Sequence, residues 1–173
     1  MNSNQALVAS YEESKRIIKE AQENNKLVLF VGAGASISSG MPSWSEAISK
    51  IKTHLGIQQE DFLKIPQYYY NERGKKEYTA LMRKIFKYGK PLSTSLIHKK
   101  IMQFNASTII TTNYDHLIEQ AAEENAEVRQ VISCDNDIPY KTANKELIKM
   151  HGDFEHDNFV LKEDDYLHYS SNF

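Results

Sequence analysis

Three short stretches hold the residues that could do chemistry. Gly32-Ala33-Gly34-Ala35-Ser36 directly follows an apolar run, Lys26 to Val31. Glycines there let the backbone approach a pyrophosphate, and a helix start beyond them offers N–H groups and a positive dipole end. Ser36 adds a hydroxyl. The stretch departs from both common phosphate loops: Ile37 stands where a third glycine would complete G-x-G-x-x-G, and no Gly-Lys-Ser/Thr follows. Thr111-Thr112-Asn113-Tyr114-Asp115 brings an amide that donates and accepts hydrogen bonds, and an aspartate that can cap a following helix. Met150-His151-Gly152-Asp153 brings an imidazole that titrates near neutrality and can serve as a general base. Read singly, the glycine stretch is as readily a tight turn without a ligand, Asp115 first of all a helix cap, and a lone histidine more often structural or solvated. His156 and His168 raise a metal reading with His151 and Asp153, but the spacing fits no zinc template, so no metal ligands are expected.

The elements that must position these residues follow from periodicity. Gln5 to Asn24 reads as an amphipathic helix. Lys26 to Val31, nearly all apolar, suits a parallel strand covered on both faces. Pro42 and Ser43 start a helix over Trp44 to Leu55. Asp61 to Gln103 stays helical, with breaks at Pro66, Gly74 and Gly89-Lys90-Pro91. Its aromatic and apolar residues, Tyr68 to Tyr70 and Tyr78 to Phe86, read as core packing. Further strands are expected at Ser107 to Thr111, Glu127 to Ser133, Glu146 to Met150 and Asn158 to Leu161, with a helix over Asp115 to Ala122 and a last helical turn after Lys162. The alternation predicts an α/β, Rossmann-like parallel sheet with helices on both faces and a helical insertion after the first strand. One domain over residues 1–173 is expected: 26–40 the nucleotide loop, 44–104 the insertion, 107–173 the remainder of the sheet. A doubly wound dinucleotide fold wants further strands after this point, so a fold incomplete at its C-terminus is expected. In such a sheet all three stretches converge on one edge. The distance from the glycine loop to the second strand is too long for a dehydrogenase βαβ unit.

Composition narrows the partners. Of 173 residues, 21 are Lys or Arg and 23 are Asp or Glu, for a formal charge of -2, so no overall basic field recruits nucleic acid. Cys134 is the only cysteine, which excludes an intrachain disulfide and a four-cysteine zinc site. Neither a signal peptide nor a run of ~20 apolar residues is visible, so a cytoplasmic protein without membrane contact is expected.

As an ordered set the motifs resemble the sirtuin family. The resemblance rests on Phe30-Val31-Gly32-Ala33-Gly34-Ala35-Ser36, Ser39-Gly40-Met41-Pro42, Thr112-Asn113-Tyr114-Asp115 and His151-Gly152, and spans about Val28 to Tyr166. Asn158 to Lys162 and Asp165-Tyr166 look most like the bacterial sirtuin-like NADase domains of anti-phage defence proteins. The resemblance implies NAD as substrate, cleaved to nicotinamide and ADP-ribose. It implies that Gly32, Ala33, Gly34 and Ser36 line the pyrophosphate, with Pro42, Trp44 and Thr112 also on the binding site. Asn113 would place the attacking water with Asp115 nearby, and His151 would act as base. It further implies a homo-oligomer, assembled through or with a region beyond Phe173, and a phage-derived trigger. Ser43-Trp44-Ser45 replaces the family's Asp-Phe-Arg stretch, and the four zinc cysteines are absent, so acyl-lysine chemistry and zinc are not expected. The alternatives are a non-catalytic NAD or ADP-ribose-binding module, and a protein deacylase or ADP-ribosyltransferase.

Overall fold

The computed structural model describes residues 3–58, 60–140 and 142–169. Four parallel strands form one sheet in the order β1-β2-β4-β3: β1 Val28–Val31, β2 Thr108–Thr111, β3 Arg129–Ile132 and β4 Lys145–Lys149. Leu29, Ile109 and Leu147 are register partners and lie on one face. There they pack with Val31 against Met102 of helix α5 (Leu96–Gln103) and Ile118, Ala121 and Ala122 of helix α6 (Leu117–Glu124). On the opposite face Phe30, Ile110 and Ile148 form the matching row, and Phe30 is exposed.

The segment between β1 and β2 is helical, as its pattern predicts. After the short helix α2 (Gly34–Ile37) come α3 (Trp44–Leu55), α4 (Lys64–Ile85) and α5. Ser43 caps α3 through a reciprocal pair with Glu46: its hydroxyl accepts from the Glu46 N–H and its N–H donates to the carboxylate. Pro66 does not break α4. It falls in the first turn, where N–H groups have no intrahelical acceptor and proline removes nothing. Gly74 does kink the helix, at φ 78° and ψ 168°. Helices α3 and α4 close a second core through Ile48, Ile51, Ile65 and Met82, each worth about 1.5–3 kcal/mol on burial. Tyr69 and Tyr78 join it, whereas Tyr68 is exposed.

Two expectations are corrected. Asn158 to Leu161 forms no strand. Phe159 and Leu161 are buried against the α3–α4 core; Val160 is also buried, and its N–H donates to the His151 carbonyl. A short apolar run satisfies its burial by packing as well as by pairing, and periodicity cannot separate the two. Strand β1 is parallel as expected but is not covered on both faces, since Val28 and Phe30 are exposed. Helix α1 (Ser3–Glu23) forms as expected; Leu7, Val8, Tyr11 and Ile17 of its apolar stripe are exposed among the described residues, and only Ala21 reaches the sheet core. Ion pairs Lys15–Glu12, Arg16–Glu13 and Arg16–Glu20 run along it. A last helix, α7 (Glu163–Leu167), follows, held to α4 by Gln67, whose amide donates to Asp164 Oδ2 and accepts from the Asp164 N–H. No helix among the described residues is long and apolar enough to cross a membrane.

Candidate active site

Strands β1, β2 and β4 all release their chains at the same edge of the sheet, the edge at which open α/β sheets hold ligands. Register fixes the spacing, because Val31, Thr111 and Lys149 are lateral partners. The Thr111 hydroxyl donates to the Val31 carbonyl and accepts from the Asn113 N–H, at 2.8 and 3.0 Å. That one side chain ties the first loop to the second. The Met150 N–H donates to the Thr111 carbonyl and carries the tie to the third.

A cavity of about 250 Å³ lies between the three loops. Asn113, Asp115 and His151 line it together with Ala33, Ser36, Pro42, Trp44 and Thr112. Gly32 and Gly34 do not; they border a neighbouring groove along the β1 edge with Phe30 and Phe104. No protein atom comes within 4 Å of where a Cβ on either glycine would sit, and neither has a positive φ. Their smallness therefore leaves open space over the loop instead of relieving a clash within the protein. Gly152 differs: its φ is 64°, and a Cβ would meet Asn158 Oδ1 at 2.3 Å.

Asn113 is almost fully buried and its amide is half used. Nδ2 donates to Ser36 Oγ at 3.1 Å, while the buried Oδ1 has no partner among the described residues. An unpaired buried acceptor costs roughly 1–3 kcal/mol, and it is a ready partner for a water or ligand hydroxyl in the cavity. Asp115 accepts the Leu117 N–H at 3.1 Å and so opens α6, the minimal role its position predicts. His151 is half-buried, and desolvation lowers its pKa below the usual histidine value, which favours the neutral ring. The ring meets Tyr166 of α7 edge-on, 5.6 Å between centroids at 88°, and takes no hydrogen bond from the described residues. Asp153 turns away from the cavity and accepts the N–H groups of Glu155 and His156.

Sequence reasoning left four cavity residues unassigned. Met41 and Tyr114 lie inside the quoted motifs, Tyr166 lies in the segment that carries the resemblance, and Phe86 was expected as core. It also passed over Lys149. That side chain is fully buried beneath the site, with Nζ donating to Glu119 at 2.9 Å and to the Asp115 carbonyl at 3.0 Å. A charged residue ending the apolar run Glu146 to Met150 was its only signal in the sequence.

Comparison with known proteins agrees with this arrangement. Residues 107–173 match the family model of the SIR2-like domain. The chain is 38% identical over 167 residues to defense-associated sirtuin 2 of Bacillus subtilis, an alignment covering 90% of this chain and 16% of the relative. It is 32% identical over 166 residues to the NAD(+) hydrolase ThsA of Enterococcus faecium, covering 91% of this chain and 35% of the relative. A third alignment, with the NAD(+) hydrolase ThsA of Bacillus cereus (strain MSX-D12), gives 32% over 162 residues, 90% of this chain and 34% of the relative. The chain thus spans between 16% and 35% of the length of these relatives. Glycine loop, asparagine turn and His-Gly turn gather on one cavity, residues 107–173 match the SIR2-like domain, and about 90% of the chain aligns with a defense-associated sirtuin and NAD(+) hydrolases, so the chain is similar to sirtuin-like proteins.

Proposed function

We propose that this chain is the NAD+ glycohydrolase domain of a bacterial anti-phage defence protein. The observation that carries the reading is the placement, on one small cavity, of a half-buried histidine and an asparagine whose buried acceptor has no partner among the described residues. Relatives named NAD(+) hydrolase support the substrate, and one named for defence supports the setting. The cavity is small by the ~300–1,000 Å³ standard of whole-ligand pockets. It suits the nicotinamide and its ribose, with the pyrophosphate running out over Gly32 to Gly34 toward their backbone N–H groups. Ala33 and Ser36 would flank its start, and Pro42, Trp44 and Thr112 would wall the ring end.

Breaking the glycosidic bond sends its electron pair to nicotinamide and leaves oxocarbenium-like charge on the ribose. Among the described residues no Lys or Arg lines the cavity and Asp115 is its one acidic residue, so the local field favours that positive charge. Asn113 Oδ1 would accept a hydrogen from the attacking water, and neutral His151 would take the proton the water loses. The products are nicotinamide, ADP-ribose and a proton. Cytoplasmic location, assembly into a homo-oligomer and release of activity by a phage-derived trigger belong to the same proposal.

The test is incubation of the protein with NAD and chromatographic identification of nicotinamide and ADP-ribose. Asn113→Ala and His151→Ala should each lower the rate at least ~10²-fold, the scale of losing positioned acid–base help. Parent-like turnover by both variants would end the assignment. That no described residue hydrogen-bonds the His151 ring favours one second reading, a module that binds NAD or ADP-ribose without cleaving it; binding by calorimetry with no nicotinamide released would establish that instead.

A further inference from the structure

One group of side chains outside the cavity has the composition of a metal site. At the end of β3, Cys134 and Asp137 lie on a single turn around the 3-10 segment Asp135–Asp137. His156 reaches the same point from the loop after β4. One ligand atom from each of the three lies within 4.8 Å of the others, and among the described residues no other such group of three forms. The histidine had been weighed as a ligand with His151, Asp153 and His168; the fold gives it different companions, which only the neighbouring ends of β3 and β4 bring together.

We propose that Cys134, Asp137 and His156 form a binding site for a divalent transition-metal cation of the zinc type. A thiolate, a carboxylate and an imidazole are three of the donors zinc prefers, and three protein ligands leave a fourth tetrahedral position for water. Tetrahedral bonds of that length separate donors by roughly 3.3–3.8 Å. The trio needs to close by about 1 Å, and its least constrained member, His156, has a side chain 45% exposed.

The surroundings hold two ligands in place. Asp137 Oδ2 accepts the N–H groups of Ser133 and Cys134 at 2.9 and 3.1 Å. Burial works to raise the Asp137 pKa, but these amides, the Cys134 thiol and nearby His156 together bring it below the usual carboxylate value, so it is ionised. His156 Nδ1 meets the buried Asp153 carboxylate at 3.0 Å and Ser133 Oγ at 3.1 Å; with Nε2 on the ion, Asp153 would be a partner of the kind that orients metal-bound imidazoles. Binding would displace the thiol proton to solvent. The ion would also join the end of β3 to the segment that follows His151-Gly152, where Asn158 already donates to the Ser133 carbonyl and accepts the Asp153 N–H. This site is independent of the NADase reading, and its test needs no turnover.

The experiment uses the full chain without a histidine tag, stripped with EDTA and titrated with Co2+ as a spectroscopic stand-in for zinc. Because Cys134 is the only cysteine, a thiolate-to-cobalt absorption band in the near ultraviolet can arise from no other residue. The expected result is one equivalent of Co2+ giving that band, bleached by Zn2+. Cys134→Ser should abolish it, and His156→Ala should weaken Zn2+ binding by roughly 10-fold or more. Neither residue is fully buried, and unchanged circular dichroism of the stripped variants will show that the fold is kept. No band at one equivalent, or Zn2+ affinity equal in parent and both variants, overturns the proposal.

Discussion

Lys149→Met should destabilise this domain by about 3 kcal/mol, because it strands the buried partner of the lysine. Methionine keeps the length and fills the same space, so the change isolates the charge. In the parent, Nζ donates to Glu119 Oε1 and to the Asp115 carbonyl from a fully buried position. Charge-assisted bonds of this kind contribute roughly 1.5–3 kcal/mol each, and stripping one partner from a buried pair costs about 3–5 kcal/mol. Glu119 keeps a second partner, His116 Nδ1 at 3.2 Å, which places the loss at the lower end of that range. Against a total stability of about 5–15 kcal/mol this is a large fraction. In a chain this size it corresponds to a fall in Tm of roughly 6–12 °C. Urea denaturation monitored by circular dichroism measures it directly. Removing the stranded charge as well, in Glu119→Gln with Lys149→Met, should recover at least half of the loss. A single variant within about 1 kcal/mol of the parent, or a double variant no better than the single, would show that the pair does not carry this load.

Two further outcomes follow from the site. Gly152→Ala combines a φ of 64° with a Cβ 2.6 Å from the Asn158 carbonyl oxygen, so the backbone must move; ~2–4 kcal/mol of stability and most NAD cleavage should be lost, read by denaturation and nicotinamide release. For pH, desolvation lowers the His151 pKa, so the neutral base persists below the usual value of 6.5; kcat should stay level through neutrality and fall only as pH drops below 6.5, and an acid limb centred above that value in the pH–rate profile would contradict the assignment.

Much of this protein was legible in the residues because the relevant forces are local. The apolar run before Gly32 reads as a parallel strand and forms one, although its expected cover on both faces fails at Val28 and Phe30, and Ser43 with Glu46 carries its own helix start. The order of the glycine, asparagine and histidine turns along the chain already implied a shared edge, since parallel strands release their chains on one side. What tertiary structure alone decided depends on neighbours distant in sequence. Leu161 is buried by helices, not by a pairing partner. Lys149 and Glu119 become a buried pair only because β4 runs beneath the start of α6. The apolar stripe of α1 has the periodicity of a buried face, yet Leu7 to Ile17 lie in solvent among the described residues. Periodicity states which residues share a face, while the sheet order β1-β2-β4-β3 decides which faces meet, and that order is set by long-range packing that no local pattern encodes.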